Sequence, residues 1–159
     1  MGRRREQGSA SPAAAPGPGA RPPVDSAVLW FNRAAFSLVF FWNVLCALQF
    51  VIDPAAYAGA YQLSGAPGEA AVRGLGVAFL MWNATYPLFI LQPWRYRVLG
   101  GIILAQQAIG LAGELALLGS LPAGCEVLAA SIMRFAAFDG AGLVLMGAAF
   151  IALRPWRAR

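Results

Sequence analysis

The chain is 159 residues long, 59% hydrophobic and only 12% charged, with a mean hydropathy of +0.61. Soluble domains carry charge on about a quarter of their residues, so this composition excludes an ordinary soluble protein and leaves an integral membrane protein. The net charge of +5 comes from twelve arginines against seven acidic residues, with no lysine and no histidine.

The absence of imidazole excludes bis-histidine haem ligation and the commonest zinc and iron sites, so no metal site is expected. The arginines stand beside apolar segments, as orientation signals do, and no nucleic-acid partner follows from the basic balance. Cys46 and Cys125 are far apart and form no CxxC pair. They read as small buried or interfacial thiols instead of a redox couple.

In chain order, residues 1–26 are rich in Ala, Pro and Gly and carry Arg3, Arg4, Arg5 and Arg21. They read as a disordered basic tail. The apolar run that follows, 28–52, is too long for the hydrophobic region of a signal peptide and ends in Asp53-Pro54, which predicts a retained first span. Asp53 as N-cap and Pro54 at the first helical position predict a short interfacial helix with Tyr57 and Tyr61 on one side. Three further apolar segments, 72–91, 98–119 and 126–153, are each long enough to cross about 30 Å of hydrocarbon. The fold class is therefore all-α, a four-helix transmembrane bundle over 27–153, followed by a basic C-terminal tail at 154–159.

Arginine placement sets the expected orientation. Arg33 and the tail arginines, Arg95 and Arg97 in the middle connection, and Arg154, Arg157 and Arg159 all belong to one side, with Trp30, Trp94 and Trp156. By the positive-inside rule both termini and the middle loop are cytoplasmic, in a multi-pass protein of a bacterial inner membrane.

Polar residues within the spans are the candidate site. Glu114 and Arg134 fall about 7 to 9 Å from their span midpoints on the outer side, in antiparallel neighbours. An ion pair between them, with Arg73 as a third member, would be a structural clamp or an anion or headgroup site. Asp139 lies near the midplane, about 140° around its helix from Arg134, with Asn83, Gln106, Gln107 and Asn43 as its expected company. A carboxyl among amides serves as a hydrogen-bonding peg or as a proton-carrying site. Pro87 removes the N–H that the Asn83 carbonyl would accept, so Asn83 should face the bundle interior. Gly110, Gly113, Ala136, Gly140 and Gly147 are the small residues expected at helix contacts.

The stretches "YQLSGAPGEAAVRGLGVAFLMWNATYP", "AQQAIGLAGE" and "RFAAFDG" resemble those of small bacterial four-span proteins of the DoxX-like neighbourhood, over about 27–153. That resemblance implies membrane redox chemistry involving quinones and transfers no catalytic residue. No cofactor is identifiable from the residues themselves; quinone enters by the resemblance only.

Three functions remain open. The first is a non-enzymatic accessory or binding protein that holds a quinone or lipid, alone or with a membrane-protein partner or second copy. The second is a proton-coupled small-solute carrier using Asp139. The third is a scaffold whose polar residues only specify packing.

Overall fold

Between Ser26 and Ile52 neither glycine nor proline interrupts an apolar run, and the chain forms one continuous helix, α1 (Ser26–Ile52), in the computed structural model. The structure describes residues 26–153; the tails expected at 1–26 and 154–159 lie outside these residues apart from Ser26. Pro54 ends α1, and Asp53 Oδ1 accepts from Ala56 N at 3.4 Å as α2 (Ala55–Ala58) begins. A 3₁₀ turn, Gly59–Tyr61, completes the first connection.

The second span is broken. It comprises α3 (Gly65–Asn83) and α4 (Tyr86–Leu91), with α4 carrying Pro87 in its first turn. At the break Ala84 N bonds Met81 O, three residues back, at 3.3 Å. α5 (Arg97–Ser120) and α6 (Glu126–Ala152) complete the bundle. Among the described residues the protein is all-helical, and four helices are long and apolar enough to cross a membrane.

The second span begins at Gly65, not at residue 72. "GAPGEAA" reads as a loop because of its Gly and Pro, yet Pro67 sits in the first helical turn. There its missing N–H would have had no partner. Gly65 has φ +65° and Gln62 φ +55°, and these two left-handed residues turn the chain into α3.

α1 packs against α3, α4 and α6, while α5 packs against α4 and α6. The outward faces carry Trp42, Ile52, Met81, Val98, Ile109 and Val144, all more than half exposed, an apolar exterior of the kind that suits helices able to cross a membrane. Inside, Phe36, Val39, Tyr86, Phe89, Ile103 and Met146 form an apolar layer toward the end where α1 starts and α6 finishes, here termed the terminal end. Phe50, Ala58 and Val72 form a second layer toward the loop end, which holds the 53–64 and 121–125 connections.

Arginines close three helix ends. Arg33 donates to Ile90 O and Leu91 O at 3.2 and 3.0 Å, Arg97 to Leu153 O at 3.2 Å, and Arg73 to Val51 O at 3.2 Å. Each cation thus satisfies a carbonyl that its helix leaves unpaired and meets the negative end of the helix dipole. At the loop end Gln62 joins the two connections: its amide donates to Gly124 O at 3.1 Å and accepts from Leu128 N at 3.2 Å, an orphan donor of the first turn of α6.

The closest helix approaches are at Gly76 and Gly100, which the sequence does not distinguish from other glycines. A Cβ on Gly76 would stand 2.8 Å from Ala47 O, and one on Gly100 2.5 Å from a Phe89 ring carbon. Of the expected contact glycines, Gly110 packs on Trp82 and Asp139, and Gly140 only loosely on Leu111. Gly113 and Gly147 face open space, so neither is a contact glycine within the described chain.

Candidate functional site

Two voids share walls inside the bundle. The larger, about 470 Å³, is a half-open groove between α1 and α6. From α1 it takes Trp42, Asn43, Leu45, Cys46, Gln49 and Phe50, and from α6 Ser131, Arg134, Phe135 and Phe138. Their spacings of three, four and seven residues place each set along one helix face. Tyr57, Ala60 and Tyr61 close the groove at the loop end. Trp42 stacks on Phe138 (5.5 Å between centroids, 23°), and Tyr61 on Phe135 (6.4 Å, 28°). The walls are therefore mostly aromatic and aliphatic. The volume lies within the 300–1,000 Å³ typical of small-molecule sites.

Arg134 brings a cation to this apolar groove. It lies eight residues into α6, about 12 Å along the axis, and donates to Ser131 Oγ at 3.0 Å. Burial raises the Tyr61 phenol above its ordinary value; Cys46 and Glu114 add to the shift and Arg134 opposes it. Tyr61 therefore stays a neutral hydroxyl at the mouth of the groove.

The smaller void, about 30 Å³, lies between the two apolar layers and is lined by Asn43, Phe79, Trp82, Asn83, Gln107, Phe135 and Asp139. Its volume suits one or two water molecules. Gln107, 3% exposed, donates to Asp139 Oδ1 at 2.9 Å and approaches Asp139 O at 3.4 Å. Asp139 Oδ2 accepts no bond among the described residues, and a Cβ on Gly110 would come within 3.5 Å of it. The missing side chain at Gly110 thus leaves room for the carboxyl. Asn83 turns its own Nδ2 back to Phe79 O at 2.8 Å, and its buried Oδ1 is without a partner among the described residues. Asn43 and Phe135 line both voids, so these two residues form the partition between groove and cavity.

The structure thus brings Asn83, Gln107 and Asp139 together with Asn43 around one cavity. Gln106 is not in the lining: it is one residue, about 100°, round α5 from Gln107, with its Oε1 sealed and unpartnered. The expected Glu114–Arg134 clamp is not formed. Among the described residues Glu114 Oε2 is buried without a hydrogen-bond partner, Arg134 bonds Ser131, and Arg73 bonds Val51 O. The reason is rotation about α6. The α5 face that carries Gln107, Gly110 and Glu114 meets the Asp139 side of α6, whereas Arg134 lies about 140° away, on the side facing α1.

The groove itself was not legible from the sequence. Trp42, Cys46 and Gln49, and Ser131, Arg134 and Phe138, each have same-face spacing, but nothing in the spacing says that these two faces meet. Cys46 and Cys125 are both free and half-buried, and no group of three or more metal-ligating side chains occurs among the described residues. No protein-family model, curated protein or solved structure matches this chain.

Proposed function

We propose that this protein is a membrane-embedded binding protein that holds a lipophilic molecule with a polar end, a quinone or a lipid, in the groove between α1 and α6. The observation that carries this reading is the groove: about 470 Å³, open along one side and walled by aromatic rings, with Arg134, Tyr61 and Asn43 as its polar groups. In a bilayer a lateral opening of this kind is reached from the lipid phase, and apolar walls with a few polar groups are the usual composition of a ligand site. The resemblance to DoxX-like proteins, with their association with quinones, points the same way. The arginines of the terminal end, Arg33, Arg95 and Arg97, favour a cytoplasmic location for that end, which would open the groove toward the outer leaflet.

The test is native mass spectrometry with solvent extraction of protein purified in mild detergent, for wild type and Ala60→Trp. Ala60 lines the groove outside the membrane spans, so an indole there fills the groove without entering the bundle core. Wild type should carry a stoichiometric amphiphile that Ala60→Trp lacks. Wild type that is free of ligand, or Ala60→Trp that retains it, would overturn the proposal.

A second reading, proton-coupled transport through Asp139, is favoured by the small cavity, where among the described residues the carboxyl holds one hydrogen bond on Oδ1 and none on Oδ2. It differs from the first in needing a titratable group at that position.

A further inference from the structure

The groove is electrically unbalanced. Its lining contains the Arg134 guanidinium and no aspartate or glutamate. The other polar groups in its wall, the Tyr57, Tyr61 and Ser131 hydroxyls and the Asn43 and Gln49 amides, are all able to donate. Arg134 finds only the neutral Ser131 hydroxyl, and no ion pair to it occurs among the described residues. A guanidinium at this position in a membrane span is costly unless an anion meets it. Glu114, the carboxylate expected to do so, makes no ion pair with it and does not line the groove, although its charge reaches Tyr61.

We propose that the occupant of this groove is an anionic membrane lipid, with its negative headgroup on Arg134 and its hydrocarbon along Trp42, Leu45 and Phe138. The inference rests on the reading of the groove as a ligand site and adds the charge of the ligand. A zwitterionic lipid fits less well: its phosphate would meet Arg134, but its ammonium would find no carboxylate in the wall. A free inorganic anion would leave the aromatic walls unfilled. Guanidinium and phosphate form charge-assisted, commonly bidentate hydrogen bonds, roughly twice as strong as neutral ones.

The experiment uses the full chain in vesicles of equal parts phosphatidylglycerol and phosphatidylcholine, followed by native mass spectrometry of the lipid retained through detergent. Wild type should retain phosphatidylglycerol over phosphatidylcholine by on the order of tenfold, because both phosphates meet Arg134 and only phosphatidylcholine brings a cation that the wall leaves unpaired. Arg134→Lys should keep most of that preference, and Arg134→Gln should lose it while still retaining lipid. The wild-type ratio decides the matter even if Arg134→Gln does not fold. Equal retention of the two lipids by wild type refutes the anionic assignment and leaves the groove standing, whereas retention that Ala60→Trp does not reduce refutes both. In a parallel arm, inorganic phosphate at millimolar concentration should not raise the thermal midpoint; a rise equal to that given by phosphatidylglycerol would show a simple anion site and sink the lipid proposal.

Discussion

The midplane bond between Gln107 and Asp139 lends itself to a quantitative test. Replacing Asp139 by Leu removes the 2.9 Å bond to Oδ1 and leaves Gln107 Nε2 only the 3.4 Å approach to the residue 139 carbonyl. Interhelical hydrogen bonds in membrane proteins contribute about 0.6 kcal/mol on average and up to about 1.7, and a buried donor left unsatisfied costs about 1–3 kcal/mol. Gln107 is 3% exposed, so the lost acceptor is replaced at best by a water in the small cavity, and the expected cost of Asp139→Leu is about 1–2 kcal/mol. Asp139→Asn keeps an acceptor oxygen of the same size and position, and should cost less than about 0.5 kcal/mol. Reversible unfolding in mixed micelles, followed by circular dichroism, measures both. The cycle with Gln107→Leu should return a coupling of about 0.6–1.7 kcal/mol. If Asn costs as much as Leu, or if Gln107 and Asp139 behave additively, the bond does not hold α5 to α6 as described. The same Asn variant separates the two functional readings. A lipid-holding protein keeps its ligand and its cellular phenotype with Asn at 139. A proton-coupled carrier folds normally with this substitution and loses all pH-dependent activity, because an amide does not titrate.

Gly76→Ala should destabilise the bundle by about 1–3 kcal/mol, since its Cβ would meet Ala47 O and Phe50 Cβ at 2.8 and 2.9 Å. Gly74→Ala, with nothing within 4 Å, should be neutral or stabilising by up to about 1 kcal/mol; equal effects of the two in a thermal-shift assay would mean that α1 and α3 do not approach closely at Gly76. Glu114→Gln and Arg134→Gln should be additive within about 0.5 kcal/mol, and a larger coupling in the double mutant would restore the ion pair that the geometry excludes. For orientation, a cysteine at Ser64→Cys in a background lacking Cys46 and Cys125 should react with an impermeant maleimide in intact cells. Labelling only after lysis would place the loop end in the cytoplasm.

The four long apolar helices were legible because crossing lipid requires a length of about twenty apolar residues, read directly from composition. The start of the second span was not, since Gly65 and Pro67 look like loop residues until helix position makes the missing N–H harmless. Depth along each axis was legible too, because a residue count multiplied by a fixed rise gives it. On that basis Asn83, Gln107 and Asp139 could be set at one level, and they do share a cavity with Asn43. Rotation about the axis was not legible. Glu114 and Arg134 have matching depth and face different neighbours, and Gln106 and Gln107 differ by one residue and only the second reaches Asp139. In a membrane the hydrophobic pattern is weak around the helix, because outward faces are as apolar as inward ones. The facing sides are set instead by where a missing side chain admits a neighbour, at Gly76 the backbone of α1 and at Gly100 the rings of Phe89 and Phe150. The sequence by itself therefore determined that this chain has four segments long and apolar enough to cross a membrane and which polar residues share a level. Only the packing of the helices decided that Asp139 meets Gln107 while Arg134 turns, without a carboxylate, into an open groove.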